Sequence, residues 1–222
     1  MEYYLFLIVT LIITLSSQAY INSMYKKTKN IVSRKGMSGY EVARKILDAN
    51  GLSNVKVVEV GGVLSDHYDP KSKVVRLSSD IYSNNSLASV SVAAHECGHA
   101  IQDKNNYFFL RFRSFIFPLV SFASRIGYLV IIISIFAELV KLLWIGILLE
   151  CIILLFQIVT LPVEFNASHR ALKQIVDLNI VDDMEVKSCR KMLKAAALTY
   201  VASVATAILE VLRLVLIARR RD

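Results

Sequence analysis

The stretch FIFPLVSFASRIGYLVIIISIFA, Phe115–Ala137, decides the architecture, because it is apolar throughout except for Arg125. About 20 apolar residues of helix cross the hydrocarbon core of a bilayer, so this stretch predicts a transmembrane helix. After the short Glu138–Lys141 connection, Leu142–Val163 repeats the pattern, broken only by Glu150. Together the two predict a membrane hairpin. Tyr3–Ile21 is a third such segment and carries no charge; Ala195–Ile217 is a fourth and carries Glu210 and Arg213. Those two charges stand at i and i+3 on one helical face, where they can pair inside a bundle.

Composition agrees with this reading. Of 222 residues 55% are hydrophobic and the mean hydropathy is +0.50, against roughly 45–50% apolar residues in an ordinary soluble domain. The net charge of +8 would suit a polyanion, but no basic–aromatic interleaving or Gly-rich loop accompanies it, so no nucleic-acid partner is expected. The charge is read as membrane orientation. Cys97, Cys151 and Cys189 are too few and too scattered for a disulfide framework, which favours a reducing compartment.

Charge also orients the spans. Ser17-Gln18-Ala19 has the small-x-small look of a cleavage site, yet Glu2 leads the first segment while Lys26, Lys27, Lys29, Arg34 and Lys35 trail it. An uncleaved anchor over 1–21 is therefore expected, with its N-terminus outside. Residues 22–110 then form a cytoplasmic part, 111–163 the hairpin, and 164–194 a second cytoplasmic segment. Residues 195–222 form a last transmembrane or re-entrant helix with a basic tail. A full crossing by that helix would take Arg219–Arg221 outside, against the positive-inside rule, so the sequence leaves its topology open.

Within the cytoplasmic part, Ser38-Gly39-Tyr40-Glu41 has capping-box spacing ahead of Val42, Ala43, Ile46 and Leu47 and predicts an amphipathic helix from Gly39 to Asn50. Val55–Val60 and Lys73–Ser78 read as strands, with Asp66–Pro70 as a turn between them. Arg76-Leu77-Ser78 is either an internal strand or one that binds an extended peptide. Asn84-Asn85-Ser86 supplies an N-cap for a long helix running to about Gln102.

That helix contains SVAAHECGHAIQ, Ser91–Gln102. His95 and His99 stand one turn apart on one face, so both imidazoles can reach one tetrahedral Zn2+. Glu96 lies about 100° further round, off the metal but near a water bound to it. Gly98 leaves room for another backbone to approach. Two surface histidines on a membrane-adjacent helix are the plain alternative. A catalytic zinc needs a third protein ligand, and Glu164 follows Pro162 at the end of the hairpin, where a new helix could begin. The hairpin folds Glu164 back toward the histidines. His169 competes for the role, and Glu150 lies too deep unless the site is sunken.

DHYDP, LSSDIY, SVAAHECGHAIQ and LPVEFNASHRA, in this order and hydrophobic setting, resemble the YugP-like family of neutral zinc metallopeptidases of bacterial membranes, over nearly the whole chain. More distantly, HExxH, a hairpin and then E-F-x-A resemble the HtpX and CAAX prenyl endopeptidase group. The resemblance implies a predominantly α-helical polytopic membrane protein with a small α+β zincin-like cytoplasmic part and a gluzincin-type site. It implies one Zn2+ per chain held by His95, His99 and Glu164. Ser168 stands where the distant group has an aspartate that orients a ligand histidine; its hydroxyl can accept the same hydrogen bond without the charge. Asn166 stands where the closer family would have an aspartate.

The implied activity is peptide-bond hydrolysis by zinc-assisted attack of water, with Glu96 as proton acceptor. For the oxyanion the sequence offers His67, Tyr68, His169 and Arg170, of which His67 and Arg170 are the leading candidates. The expected substrate is a peptide or protein, including membrane proteins, met at the cytoplasmic face of a bacterial plasma membrane. A catalytically inactive zinc-binding interaction module is the alternative. A metal carrier would need more ligand residues within the spans. Cleavage inside the membrane would need HExxH within a span, and polar residues Gln102–Asn106 follow it closely.

Overall fold

The computed structural model describes residues 2–62 and 65–221. In chain order these form α1 (Glu2–Lys29), α2 (Gly39–Ala49), β1 (Lys56–Val60), β2 (His67–Asp69) and β3 (Val74–Ser78). Then come α3 (Ser79–Ser83), α4 (Leu87–Lys104), α5 (Phe108–Phe136), α6 (Val140–Asp177) and α7 (Asp183–Arg221). Four of these, α1, α5, α6 and α7, are long and apolar enough to cross a membrane. They turn Leu11, Leu15, Phe115, Phe122, Leu129 and Leu148 outward. Apolar surface on that scale is lipid-facing rather than water-facing.

The remaining elements make a cap at one end of the bundle. The capping box at Ser38 is complete, with Ser38 Oγ accepting from Glu41 N and Glu41 Oε2 from Ser38 N. The α2 face predicted from the sequence, Val42, Ala43, Ile46 and Leu47, is fully buried. It meets Leu77 and Ile81, Ala93, Ala94 and Cys97 of α4, and Ile175 of α6 in one apolar core. Burying a large aliphatic side chain of this kind contributes about 1.5–3 kcal/mol. Ser86 caps α4 by accepting from Ser89 N at 3.1 Å.

The sheet order is β1-β3-β2, with β1 parallel and β2 antiparallel to β3. The turn predicted at Asp66–Pro70 is in part a strand: His67–Asp69 pairs with Val74–Arg76, and the turn follows it, where Asp69 Oδ1 accepts from Lys71 N and Ser72 N at 2.9 and 3.3 Å. β3 is the central strand, paired with β1 along its length and with β2 over Val74–Arg76, and beyond β2 the Ser78 N–H is taken by Asp66 Oδ1. The edges of the sheet are β1 and β2.

Two further departures concern the bundle. A new helix was expected to start at Pro162, but α6 runs unbroken through it. Proline removes one donor, whereas ending the helix beside lipid would strand several backbone groups without water. The last helix, open in the sequence, runs the full length of the bundle: Leu214 and Ala218 pack with Ile131, Leu143 and Ile147, and Arg221 Nη1 donates to Ile135 O at 2.9 Å. Arg219–Arg221 therefore lie at the end opposite the cap. Arg213 pairs with Glu210 on the same helix, Nε to Oε2 at 2.9 Å.

Candidate metal centre

The centre forms where α4 crosses α6. Gly98 makes the crossing possible, since a Cβ there would stand 2.5 Å from Ala167 O of α6. At this distance of approach Glu164 Oε2 lies 3.2 Å from His95 Nε2 and 3.6 Å from His99 Nε2. One ligand atom from each of the three lies within 4.8 Å of the others. Two ligands on a tetrahedral zinc with bonds of 2.0–2.1 Å stand about 3.4 Å apart. Two imidazoles and one carboxylate at these separations are a donor set that suits zinc.

The other side of each ligand is also held. His95 Nδ1 lies 3.3 Å from Ser168 Oγ, and His99 Nδ1 lies 3.0 Å from Gln102 Oε1. An amide oxygen only accepts, so Nδ1 of His99 carries the proton and its Nε2 lone pair faces the ligand cluster. Gln102 is itself fixed, donating from Nε2 to Val163 O at 2.7 Å and to Asn166 Oδ1 at 3.1 Å. Arg113 Nη1 donates to Glu164 Oε1 at 3.0 Å, which leaves Oε2 facing the histidines. Neither Gln102 nor Arg113 figured in the sequence reading as part of the site. Gln102 had a legible signal in its spacing three residues after His99. Arg113 belongs to no motif and stands at the start of the hairpin.

Glu96 is 7% exposed and lies beside the trio rather than within it. Burial pushes its carboxyl up to about 7; the nearby Glu164 and Asp66 carboxylates act in the same direction, while His95 and the Tyr68 backbone N–H oppose it. A cavity of about 210 Å³ joins Glu96 to the three ligand side chains. Tyr68, Arg113 and Tyr200 also line it. Tyr200, from α7, sets its hydroxyl near the Glu164 carboxylate. No sequence motif marks it; only its polarity within an apolar helix could have drawn notice.

The predicted oxyanion candidates part company. His67 lines the cavity from β2, its Nδ1 2.8 Å from Ser65 O and its Nε2 3.5 Å from Arg76. Arg170 does not line it; its Nε donates to Asn166 Oδ1 at 2.7 Å. His169, the rival third ligand, lies on a separate groove between α6 and α7 with Arg190 and Lys194.

Comparison with known proteins adds to this geometry. A family model described as "Putative neutral zinc metallopeptidase" matches residues 3–219. The "Putative membrane protease YugP" of Bacillus subtilis (strain 168) is 43% identical over 201 residues, covering 90% of this chain and 89% of that protein. No solved structure matches.

Proposed function

Because this chain belongs to the neutral zinc metallopeptidase family whose model spans residues 3–219, we propose that it is a membrane-embedded zinc endopeptidase with His95, His99 and Glu164 as its metal ligands. One observation carries the reading. Three ligand atoms from two helices converge within 4.8 Å, with a buried carboxyl that is not one of them on the same cavity. One zinc per chain is the stoichiometry this donor set supports.

When bound, zinc supplies a Lewis acid that polarises the scissile carbonyl and lowers the pKa of water at its open position. The chain does the rest. Glu96, with its carboxyl raised to about 7, is matched to accepting a proton at neutral pH and returning it to the leaving amine. Gln102 holds His99 in the tautomer whose Nε2 lone pair faces Glu164, Ser168 steadies the far ring nitrogen of His95, and Arg113 holds the carboxylate to one free oxygen. Tyr200, Arg113 and His67 border the cavity and are the donors available to a developing oxyanion. The free edge of β2 supports backbone binding of an extended peptide. Lys26, Lys27, Lys29, Arg34 and Lys35 cluster at the cap end, which supports a cytoplasmic site.

The test is zinc analysis and casein or self-cleavage assay of the purified chain beside Glu96→Gln and Glu164→Ala. The expected result is that Glu96→Gln keeps zinc and loses cleavage, and Glu164→Ala loses much of both. Zinc bound by a wild-type chain that cleaves nothing would favour an inactive interaction module, and unchanged zinc in Glu164→Ala would remove that ligand.

A further inference from the structure

A second cleft, bordering the polar cavity, also reaches Glu96. Its volume is about 350 Å³, and the two spaces share Asp66, His95, Glu96 and Tyr200. Its walls are Ile21 and Tyr25 of α1 and Met192, Leu193 and Ala196 of α7, with Val92 of α4 in its floor. No lysine or arginine lines it. Asp66 is already engaged, accepting from Ser78 N at 2.7 Å and from Ser78 Oγ at 3.0 Å. Both wall helices are long and apolar enough to cross a membrane, and the cleft lies at their cap ends. The route into it between α1 and α7 therefore starts at the edge of the bilayer.

From this geometry we infer that the cleft is a substrate-binding subsite for an apolar, unfolded juxtamembrane stretch of a membrane-anchored polypeptide, which enters between α1 and α7. The inference rests on the peptidase reading of the same centre. Four observations select this occupant. Glu96 lines the cleft, so a chain lying in it is placed beside the group that accepts the proton. The absence of a cation, beside two carboxylates, turns away phosphate and acidic side chains. The apolar walls disfavour basic side chains, which would shed water along the way before meeting a carboxylate. One turn of helix with its side chains fills roughly 400–600 Å³, more than the cleft holds, so the stretch lies extended with one or two large apolar side chains inside.

The test uses the full chain, zinc-loaded and carrying Glu96→Gln, in phosphatidylethanolamine–phosphatidylglycerol vesicles. A photo-reactive benzophenone amino acid replaces Asn22 at the cleft rim, or Leu212 on the outer face of α7 as control. The probes are synthetic single-span peptides whose flank next to the membrane is Leu-Ser, Lys-Ser or Asp-Ser repeats. The expected result is crosslinking from position 22 at least fivefold stronger with the Leu-Ser flank than with either charged flank, and little from position 212. Ala196→Phe, which fills the cleft from α7, and Ile21→Asp, which charges it from α1, should each cut that crosslink at least fivefold at unchanged zinc content. Equal crosslinking of the three flanks, or a crosslink indifferent to both substitutions, overturns the inference. Because the readout is binding, a wild-type, zinc-loaded chain that proves unable to cleave any probe defeats the peptidase reading without deciding this one.

Discussion

Gly98→Ala tests the crossing on which the centre depends. The added Cβ would meet Ala167 O at 2.5 Å and Ala167 C at 3.1 Å. Ordinary contact begins near 3.4 Å, so α4 and α6 must separate by nearly 1 Å on the order of van der Waals geometry. Both contacts are backbone, and no rotamer change relieves them. In the helix alone alanine would gain about 1 kcal/mol over glycine, while overpacking of this kind costs about 1–3 kcal/mol. The net effect on folding is therefore small, from near zero to about 2 kcal/mol destabilising. The effect on metal binding is larger. His95 and His99 sit on one moving helix and Glu164 on the other, and a zinc site tolerates only about 0.2 Å in its ligand distances. Zinc affinity should fall at least tenfold, read by competition with a chelator of known affinity, while the thermal midpoint of the metal-free protein in detergent moves by only a few degrees. Gly98→Ala protein that binds zinc as tightly as the wild type would refute the claim that this backbone contact sets the ligand spacing.

Gln102→Ala removes the acceptor on His99 Nδ1 and the hydrogen bonds that Gln102 Nε2 donates to Val163 O and Asn166 Oδ1 in the interior. Zinc affinity should drop about 10–100-fold and stability by about 1–3 kcal/mol, by chelator competition and thermal melting. The zinc-free chain should also respond to pH through Glu96. Its folded carboxyl titrates near 7 instead of the ordinary 4.5, so the folded state holds the proton more tightly than the unfolded state. Stability is then highest below about pH 4.5 and declines as pH rises to about 7, by something on the order of 3 kcal/mol. Glu96→Gln should flatten that part of the melting-temperature profile, and parallel profiles for the two proteins would contradict the buried charge. Removing zinc should lower the midpoint of the wild type. At free zinc a hundredfold above its dissociation constant the shift corresponds to about 2.7 kcal/mol, and Glu164→Ala should show little of it.

Local pattern was enough for much of this protein. Four apolar runs announced four long helices, the capping box at Ser38 announced α2, and the i, i+4 spacing of His95 and His99 put both rings on one face. These depend on neighbours along the chain, and the period of a helix is the same in any fold. Glu164 was reachable because the hairpin that separates it from the histidines also returns the chain to them. Pro162 misled for the opposite reason. Its local preference is to begin a helix, but an apolar surrounding penalises every backbone group a break would strand, and α6 continues.

The tertiary structure decided what no spacing encodes. Arg113, 51 positions before Glu164 in the chain, becomes its partner only because α5 and α6 pack side by side. Tyr200 reaches the centre because α7 crosses the whole bundle. Arg170, plausible by proximity to Glu164 in the chain, is bonded to Asn166 instead, since four residues along a helix nearly restore the face whereas six turn it by about 240°. The residues of Arg76-Leu77-Ser78 left open whether that strand is internal or free to bind a peptide; the order β1-β3-β2 makes it central and puts Lys56–Val60 and His67–Asp69 at the two edges. Sequence by itself determined the helices and the chemical character of the ligands, because both follow from periodicity and side-chain type. The approach of α4 to α6, the partners that orient each ligand and the cleft between α1 and α7 arise from packing between segments distant in the chain, and only the folded arrangement fixes them.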